Sequence, residues 1–151
     1  MKKSNIKLAQ KKRIKVTEAG WGSELEIHNG NGYCGRILNI ERGQKSSLHY
    51  HLKKNETFYV LSGRISIDLR FDLHKESMIL EEGDSIDIPR FVLHRFKGLQ
   101  DAKVLEISTE DKGEDDIVRV EEGSTQLKRL WNCEDEEFTQ WENKVNRILG
   151  K

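Results

Sequence analysis

Short runs of β-branched and aromatic residues, separated by glycine-containing turns, constrain the fold of this chain more than any other feature. The runs cover residues 36–40, 57–61, 64–71, 85–88 and 103–108. Apolar and polar positions tend to alternate along them, as they do in strands with one buried face. Strands of this length at regular spacing are typical of an all-β sandwich or barrel.

Two turns and a core follow from this pattern. Ser62-Gly63 is expected to join two runs as a tight hairpin, and residues 81–84 are expected to form a second turn. Where alternate strand positions face inward, we expect these residues to be buried: Ile37, Ile40, Phe58, Val60, Ile65, Ile67, Ile86, Ile88 and Ile107.

The composition indicates one soluble domain. Hydrophobic residues make up 35% and charged residues 34% of the 151 positions, and the net charge is zero. No apolar run approaches the length of about 20 residues that a membrane helix needs. A secretory signal pattern is absent as well, so we expect a cytoplasmic protein without a membrane partner. Cys34 and Cys133 have no Cys-x-x-Cys neighbours, which argues against a zinc knuckle or a disulfide framework.

The two ends of the chain differ from its middle. Residues 1–19 are basic and are expected to form an arm or an edge strand; nucleic acid is an unlikely partner because no aromatic residues are interleaved with the charges. Residues 20–122 are expected to form the barrel. Residues 123–151 carry apolar side chains at helical spacing, which predicts an amphipathic helix near 133–149. Exposed strand edges favour a homodimer.

Four residues have the spacing of a metal site. His49 and His51 are two positions apart, so both imidazoles point to one face of a strand. A following turn can bring Glu56 back against them, and His94 adds a third imidazole. An isolated His-x-His pair is more often a surface pair. Here the four residues together predict one divalent transition metal, such as Zn, Mn, Fe, Co or Ni.

These residues resemble the two motifs of the cupin superfamily. The first motif, G-x5-H-x-H-x(3,4)-E-x6-G, is matched in full from Gly43 to Gly63. The second, G-x5-P-x-G-x2-H-x3-N, is matched at three positions, Gly83, Pro89 and His94. The chain departs from it at Phe91, where glycine is usual, and at Gly98, where asparagine is usual. The resemblance implies a double-stranded β-helix, a jelly-roll barrel.

A narrower resemblance covers residues 21–120. The segments are 21–23, 47–49, 88–89, 94–95, 106–107 and the string GEDDIVR at 113–119. They are similar, in the same order, to the isomerase domain of type II mannose-6-phosphate isomerases. The family continues with a YGR-type ending that is absent here. The guanylyltransferase domain often fused to those enzymes is not expected in a chain of this length.

This resemblance implies a metal-dependent isomerase that interconverts aldoses and ketoses, with a sugar or a sugar phosphate as substrate. Such chemistry needs a base, for which Glu56 and Glu106 are the candidates. Arg36, Lys45 and Arg95 are candidates for binding an anionic group of the sugar. Two other hypotheses stay open: an iron dioxygenase with the same four ligands, and a metal-containing sugar-binding module without catalysis.

Overall fold

The computed structural model describes residues 9–124, and within them nearly all regular structure is β-strand. The strands are β1 (Lys15–Ala19), β2 (Gly22–Gly30), β3 (Tyr33–Ile40), β4 (Leu48–His51), β5 (Glu56–Ser62), β6 (Arg64–Phe71), β7 (His74–Glu81), β8 (Ser85–Ile88), β9 (Leu93–Gly98), β10 (Ala102–Thr109) and β11 (Ile117–Glu121). A single 3₁₀ turn, Gly113–Asp115, precedes β11. The helix predicted near 133–149 lies outside the described residues.

The strands form two antiparallel sheets. One has six strands in the order β1-β2-β3-β10-β5-β8, and the other has five in the order β11-β4-β9-β6-β7. β1, β2 and β3 pair in succession, as do β6 and β7, but from β3 to β6 and again from β7 to β11 each strand lies in the other sheet from the one before it, as in a jelly roll. The predicted all-β cupin barrel is confirmed, and each of the five predicted runs lies inside a strand.

A closed apolar core fills the space between the sheets. Its members are Leu38, Ile40, Phe58, Val60, Ile65, Ile67, Leu80, Ile88, Phe96, Ala102 and Val104. Ile86 packs against this core in a partly buried position. The prediction was wrong for Ile107, which is 54% exposed, and Ile37 is only partly buried. The physical reason is the two-residue period: their neighbours Glu106 and Leu38 occupy the inward positions, so these isoleucines face outward.

The predicted hairpin at Ser62-Gly63 was also wrong. The link is short, but β5 belongs to the six-stranded sheet and β6 to the five-stranded sheet, so the two strands do not pair. Gly63 has a φ of +81°, and a Cβ atom placed there would lie 2.1 Å from the carbonyl oxygen of Asp101. Glycine is therefore needed at a corner between sheets. The turn predicted at 81–84 is present, with the amide of Asp84 donating to the carbonyl of Glu81 at 2.9 Å.

The two departures from the second motif have local explanations. Phe91 has a φ of +71°, in the region that glycine adopts without strain, and its amide donates to the carbonyl of His51 at 2.9 Å. A Cβ atom on Gly98 would lie 2.5 Å from the carbonyl oxygen of Glu41. The turn before His94 is thus formed despite Phe91, while a larger residue at position 98 would be excluded by backbone.

The ends of the described region contribute edge strands. β1 and β8 are the edges of the six-stranded sheet, and β11 and β7 those of the other. Residues 9–124 include no helix with the length and apolar character required to cross a bilayer.

Candidate metal centre and cavity

The four predicted metal ligands come from two paired strands of one sheet and one strand of the opposite sheet. His49 and His51 lie on β4 and His94 lies on β9, in direct register with His49. Glu56 begins β5, on the opposite sheet. One ligand atom from each of the four residues can be chosen so that all four atoms lie within 4.8 Å of one another. The topology therefore brings together residues from both motifs.

Two atoms at the centre of this cluster are buried and lack hydrogen-bond partners. Oε1 of Glu56 lies 2.7 Å from Nε2 of His94 and 3.5 Å from Nε2 of His51. Neither Oε1 of Glu56 nor Nε2 of His94 makes a hydrogen bond of acceptable geometry. Leaving such atoms unsatisfied is costly. A cation at their meeting point would satisfy both, so the arrangement fits a metal ion.

The outer nitrogens of two imidazoles are held by backbone carbonyls. Nδ1 of His49 lies 3.0 Å from the carbonyl oxygen of Ser47, and Nδ1 of His94 lies 2.9 Å from that of Val92. A carbonyl oxygen accepts a hydrogen bond only from a protonated nitrogen, so these contacts favour the tautomer with hydrogen on Nδ1. The hydroxyl oxygen of Ser47, 2.9 Å from Nδ1 of His49, is a second possible acceptor for that hydrogen. The lone pair on Nε2 is then directed into the cluster, as in protein metal sites whose histidines are oriented by outer contacts.

The charge states of the cluster also suit a metal. Burial, followed by the neighbouring His94 and His51, lowers the pKa of His49 to about 3. Burial and the ammonium of Lys54 lower the pKa of His51 to about 4. Burial opposes ionisation of Glu56, but contacts with His94 and Lys54 hold the pKa of this carboxyl below its ordinary value. Neutral imidazoles and an ionised carboxylate are the forms that bind metals.

This donor set points to a particular class of ion. Imidazole nitrogens suit Zn, Mn, Fe, Co and Ni, and a single carboxylate is compatible with all of them. His49, His51, Glu56 and His94 would hold the ion. An ion with six coordination positions would keep two of them for a ligand.

Asp116 supports the turn that leads from His51 to Glu56. Its carboxylate accepts from the amide of Lys53 at 2.6 Å and from that of Lys54 at 3.2 Å. The same carboxylate lies 3.4 Å from Nδ1 of His51. At 2% exposure it is one of the most buried charged groups. Asp116 belongs to the string 113–119, but its role could not be predicted from spacing, because its partners Lys53 and Lys54 lie 63 and 62 residues away in the sequence.

A second group of charges lies beside the cluster, around Lys54. This lysine is 4% exposed, and its Nζ lies 2.9 Å from Oε1 of Glu106, 3.1 Å from Oε2 of Glu56 and 3.4 Å from Oδ2 of Asp111. Although burial disfavours the ammonium, the carboxylates of Glu106 and Glu56 raise the pKa of Lys54. Lys54 therefore stays charged and links the candidate metal ligand to the candidate base. No motif or spacing in the sequence indicates this role for Lys54.

Glu106 lies on β10 with its side chain directed inward and is 4% exposed. Burial raises the pKa of this carboxyl, and the neighbouring Lys54 acts in the opposite direction. A raised pKa makes a carboxylate better able to take up and return a proton near neutral pH.

Arg36 is surrounded by carboxylates at the side of the cavity. Its Nη1 donates to Asp111 at 2.7 Å, its Nη2 donates to Glu26 at 3.0 Å, and its Nε lies 3.3 Å from Glu24. Nη1 also lies 3.9 Å from Glu106. The guanidinium is thus already paired with the acids around it.

The cavity has a volume of about 320 Å³, at the lower end of the range for small-molecule sites. Of the residues predicted to act in catalysis or substrate binding, three line it: Arg36, Glu56 and Glu106. Lys45 and Arg95 are not among the lining residues. Arg95 instead donates to the carbonyl of Ser46 at 3.0 Å and to Glu121 at 2.9 Å, which ties β9 to the end of β11.

Comparisons with known proteins point to one family. The family model described as "Mannose-6-phosphate isomerase C-terminal" matches residues 7–122. A mannose-1-phosphate guanylyltransferase of Salmonella muenchen is 29% identical over 129 residues, which cover 83% of this chain and 26% of that protein. A protein of the same name from Sinorhizobium fredii is 32% identical over 107 residues, covering 69% of this chain and 20% of that one. The chain thus matches only about a quarter or less of these relatives.

Solved structures share the barrel. The capsular polysaccharide assembling protein CapF of Staphylococcus aureus has a TM-score of 0.62 at 23% identity, covering 72% of this chain and 34% of its own. Bacillus subtilis oxalate decarboxylase, studied for its Mn(II) centres, has a TM-score of 0.61 at 18% identity, covering 70% and 30%. At these identities the similarity concerns the fold.

Proposed function

Because the chain belongs to the mannose-6-phosphate isomerase C-terminal family, we propose that it is a metal-dependent isomerase that interconverts aldoses and ketoses. The observation that carries the proposal is the buried carboxylate of Glu106 in the same cavity as the three histidines and Glu56. A metal cluster alone would serve several reactions, but isomerisation also needs a base beside the bound sugar.

The metal ligands, Glu106 and Lys54 have different roles in the proposed reaction. A divalent ion held by the histidines and Glu56 would polarise the sugar carbonyl and stabilise the negative charge that develops on its oxygen. Glu106 takes the proton from C2 of the aldose and returns it to C1, while the hydroxyl proton of O2 passes to O1, so that C2 becomes the carbonyl carbon. Lys54, 2.9 Å from Glu106, holds that carboxylate in place and balances its charge.

Glu106 is a better base than Glu56 for a geometric reason. Oε1 of Glu56 lies among the imidazoles, and Oε2 lies 3.1 Å from the ammonium of Lys54. Both oxygens of Glu56 are therefore engaged, and the proposal assigns it to the metal. The apolar walls of the cavity, including Trp21 and Phe58, help to exclude water.

The test is incubation of the purified protein, loaded in turn with Zn²⁺, Mn²⁺, Co²⁺, Ni²⁺ or Fe²⁺, with aldoses and aldose phosphates in deuterated water. Proton transfer through a carboxylate that exchanges with solvent introduces deuterium at C1 or C2, which NMR detects. We expect a ketose product carrying deuterium. Oxygen consumption with Fe²⁺ would favour a dioxygenase instead, and sugar binding without any turnover would favour a binding module.

A further inference from the structure

The six-stranded sheet carries a continuous row of apolar side chains on one face. The row crosses five neighbouring strands in direct register and consists of Val16, Leu25, Ile37, Leu105 and Tyr59. Residues directly opposite one another in antiparallel strands lie on the same face of the sheet. The apolar row is therefore a feature of the whole sheet and not of a single strand.

The two-residue period of the strands places this row on the outside of the barrel. Leu38, Val104 and Phe58 are sequence neighbours of three members of the row, and all three belong to the apolar core. Glu24, the neighbour of Leu25, lines the cavity. Because successive side chains of a strand point to opposite faces, the row points away from both the core and the cavity.

Side chains of this outer face are exposed although they are large and apolar. Val16 is 57% exposed, Ile107 is 54% exposed and Tyr59 is 40% exposed. Ile107 lies two residues beyond Leu105 on β10 and so extends the row on the same face. Single exposed apolar residues are ordinary, whereas a contiguous apolar patch marks an interaction surface.

Charged side chains are scarce on the same face. The three strands β3, β10 and β5 have eleven outward positions, which are Tyr33, Gly35, Ile37, Asn39, Lys103, Leu105, Ile107, Thr109, Thr57, Tyr59 and Leu61. Among these eleven, only Lys103 is charged, whereas charged residues make up 34% of the whole chain. Depletion of charge is typical of the centre of a protein–protein interface.

The size of the face fits a second copy of this chain. Six strands spaced by about 4.8 Å are about 29 Å wide, and the eight residues of β3 or β10 extend for about 26 Å. The resulting area of about 750 Å² is close to the roughly 800 Å² that each partner contributes to a standard interface. A single helix, about 10 Å in diameter, would cover less than half of this width.

From the register, the exposure and the size of this face we infer that it is the interface of a homodimer, in which the six-stranded sheets of two chains pack face to face. A two-fold axis relates such a pair, so a side chain on the axis meets its own equivalent in the partner. β3 and β10 are the two central strands, which places Ile37 and Leu105 nearest the axis. The same two strands carry Arg36 and Glu106 on their inner face, so the interface lies directly behind one wall of the cavity.

A matched pair of lysine substitutions tests this interface. Ile107→Lys places a charge on the proposed face, and Ile79→Lys places the same charge on β7 of the other sheet, at an isoleucine that is 52% exposed. Both positions are exposed, so both variants should fold, which circular dichroism checks. We expect sedimentation velocity to give the wild type about twice the chain mass of 17.6 kDa at micromolar concentration. Ile107→Lys should raise the dissociation constant of the dimer at least about tenfold, and Ile79→Lys should leave it unchanged.

Three results of this experiment would overturn the inference. The first is a wild-type protein that stays monomeric at the highest concentration measured. The second is an unchanged dissociation constant in Ile107→Lys. The third is a dimer weakened by Ile79→Lys alone, which would move the interface to the five-stranded sheet.

NMR on a mixed sample of ¹³C-labelled and unlabelled chains identifies what covers the face. We expect isotope-filtered nuclear Overhauser effects from the methyl groups of Leu105 and Ile107 to the unlabelled chain. Contacts of these methyl groups with Trp131 or Trp141 of the same chain, in a monomer, would show that residues 125–151 cover the face instead. That result would also overturn the inference.

Discussion

Lys54 forms ion pairs with three of the carboxylates that line the cavity. Its ammonium contacts the candidate metal ligand Glu56 and the candidate base Glu106, and both carboxylates are almost fully buried. A buried ion pair that loses one partner leaves an uncompensated charge, so these three side chains act as a unit. The position of Glu106 is therefore set by Lys54 as well as by its own strand.

The clearest prediction at this scale concerns Glu106→Gln. The amide keeps the shape of the side chain but cannot take a proton, so isomerisation should slow by at least about a hundredfold. Metal content should be unchanged, because Glu106 is not one of the four clustered ligands. Steady-state kinetics and metal analysis on the same preparation provide the measurement.

Glu121→Gln is the matched control, since Glu121 is half-exposed and lies outside the cavity lining. It should keep wild-type turnover. Unchanged turnover in Glu106→Gln would exclude Glu106 as the base and transfer that role to Glu56.

Neighbouring residues show how far the sequence could predict the site. The spacing of His49, His51 and Glu56 was enough to place them together, because the period of a strand and one turn determine their directions. The phase of β10 was not predictable in the same way: Ile107 was expected to face inward and Glu106 was only a candidate base, yet Glu106 is the one that faces inward. Lys54 was missed because its shortest contact, with Glu106, joins residues that lie 52 positions apart in the sequence.

At the scale of elements, the corners between strands determine how the barrel closes. The chain passes from β5 in one sheet to β6 in the other through Gly63, and from β7 to β8 through Gly83. Both glycines have positive φ angles, +81° and +92°. They differ in their surroundings: the Cβ position of Gly63 is blocked by Asp101 and Ala102, while that of Gly83 has nothing within 4 Å.

This difference predicts that alanine substitutions at the two glycines lower the free energy of unfolding by different amounts. Gly83→Ala should lower the free energy of unfolding by about 1 kcal/mol, the cost of a non-glycine residue at positive φ. Gly63→Ala adds a clash with backbone and should lower it by about 3 kcal/mol or more. Urea unfolding of both variants gives the comparison. Equal losses would show that the close approach at Gly63 contributes nothing.

The corner at Gly63 also shows what turn chemistry cannot predict. A two-residue Ser-Gly link between β-rich runs is typical of a hairpin, yet here it joins strands of different sheets. Whether two linked strands pair with each other depends on which other strands lie beside each of them. Here β5 pairs with β10 and β8 instead of β6. Pairing between strands distant in sequence is decided by the whole fold.

At the scale of the whole molecule, the apolar core and the candidate metal centre consist of different residues, although core members such as Phe58 also line the cavity. The core cluster contains none of the four clustered ligands. The barrel is therefore expected to fold without metal and to gain stability when metal binds. The homodimer expected from the exposed edges stays a prediction, which light scattering at micromolar concentration can test.

Metal binding to the folded state alone should raise the melting temperature. At a concentration a hundredfold above the dissociation constant, the gain is about 2.7 kcal/mol. For a domain of this size, that corresponds to a rise of about 5–10 °C. We expect Zn²⁺ or Mn²⁺ to produce it and EDTA to reverse it in thermal unfolding scans. Ca²⁺ should have little effect because it prefers oxygen ligands. An identical response in His51→Ala would assign the effect to a different site.

The most direct test of the whole account is the metal content of the purified protein and of two ligand variants. We predict about one first-row transition metal ion per chain in the wild type, measured by inductively coupled plasma mass spectrometry after dialysis. His51→Ala and His94→Ala should each lose most of it and still fold, as judged by circular dichroism. His74→Ala, at an exposed position outside the cluster, should keep it. Full occupancy in both ligand variants would contradict the four-ligand centre.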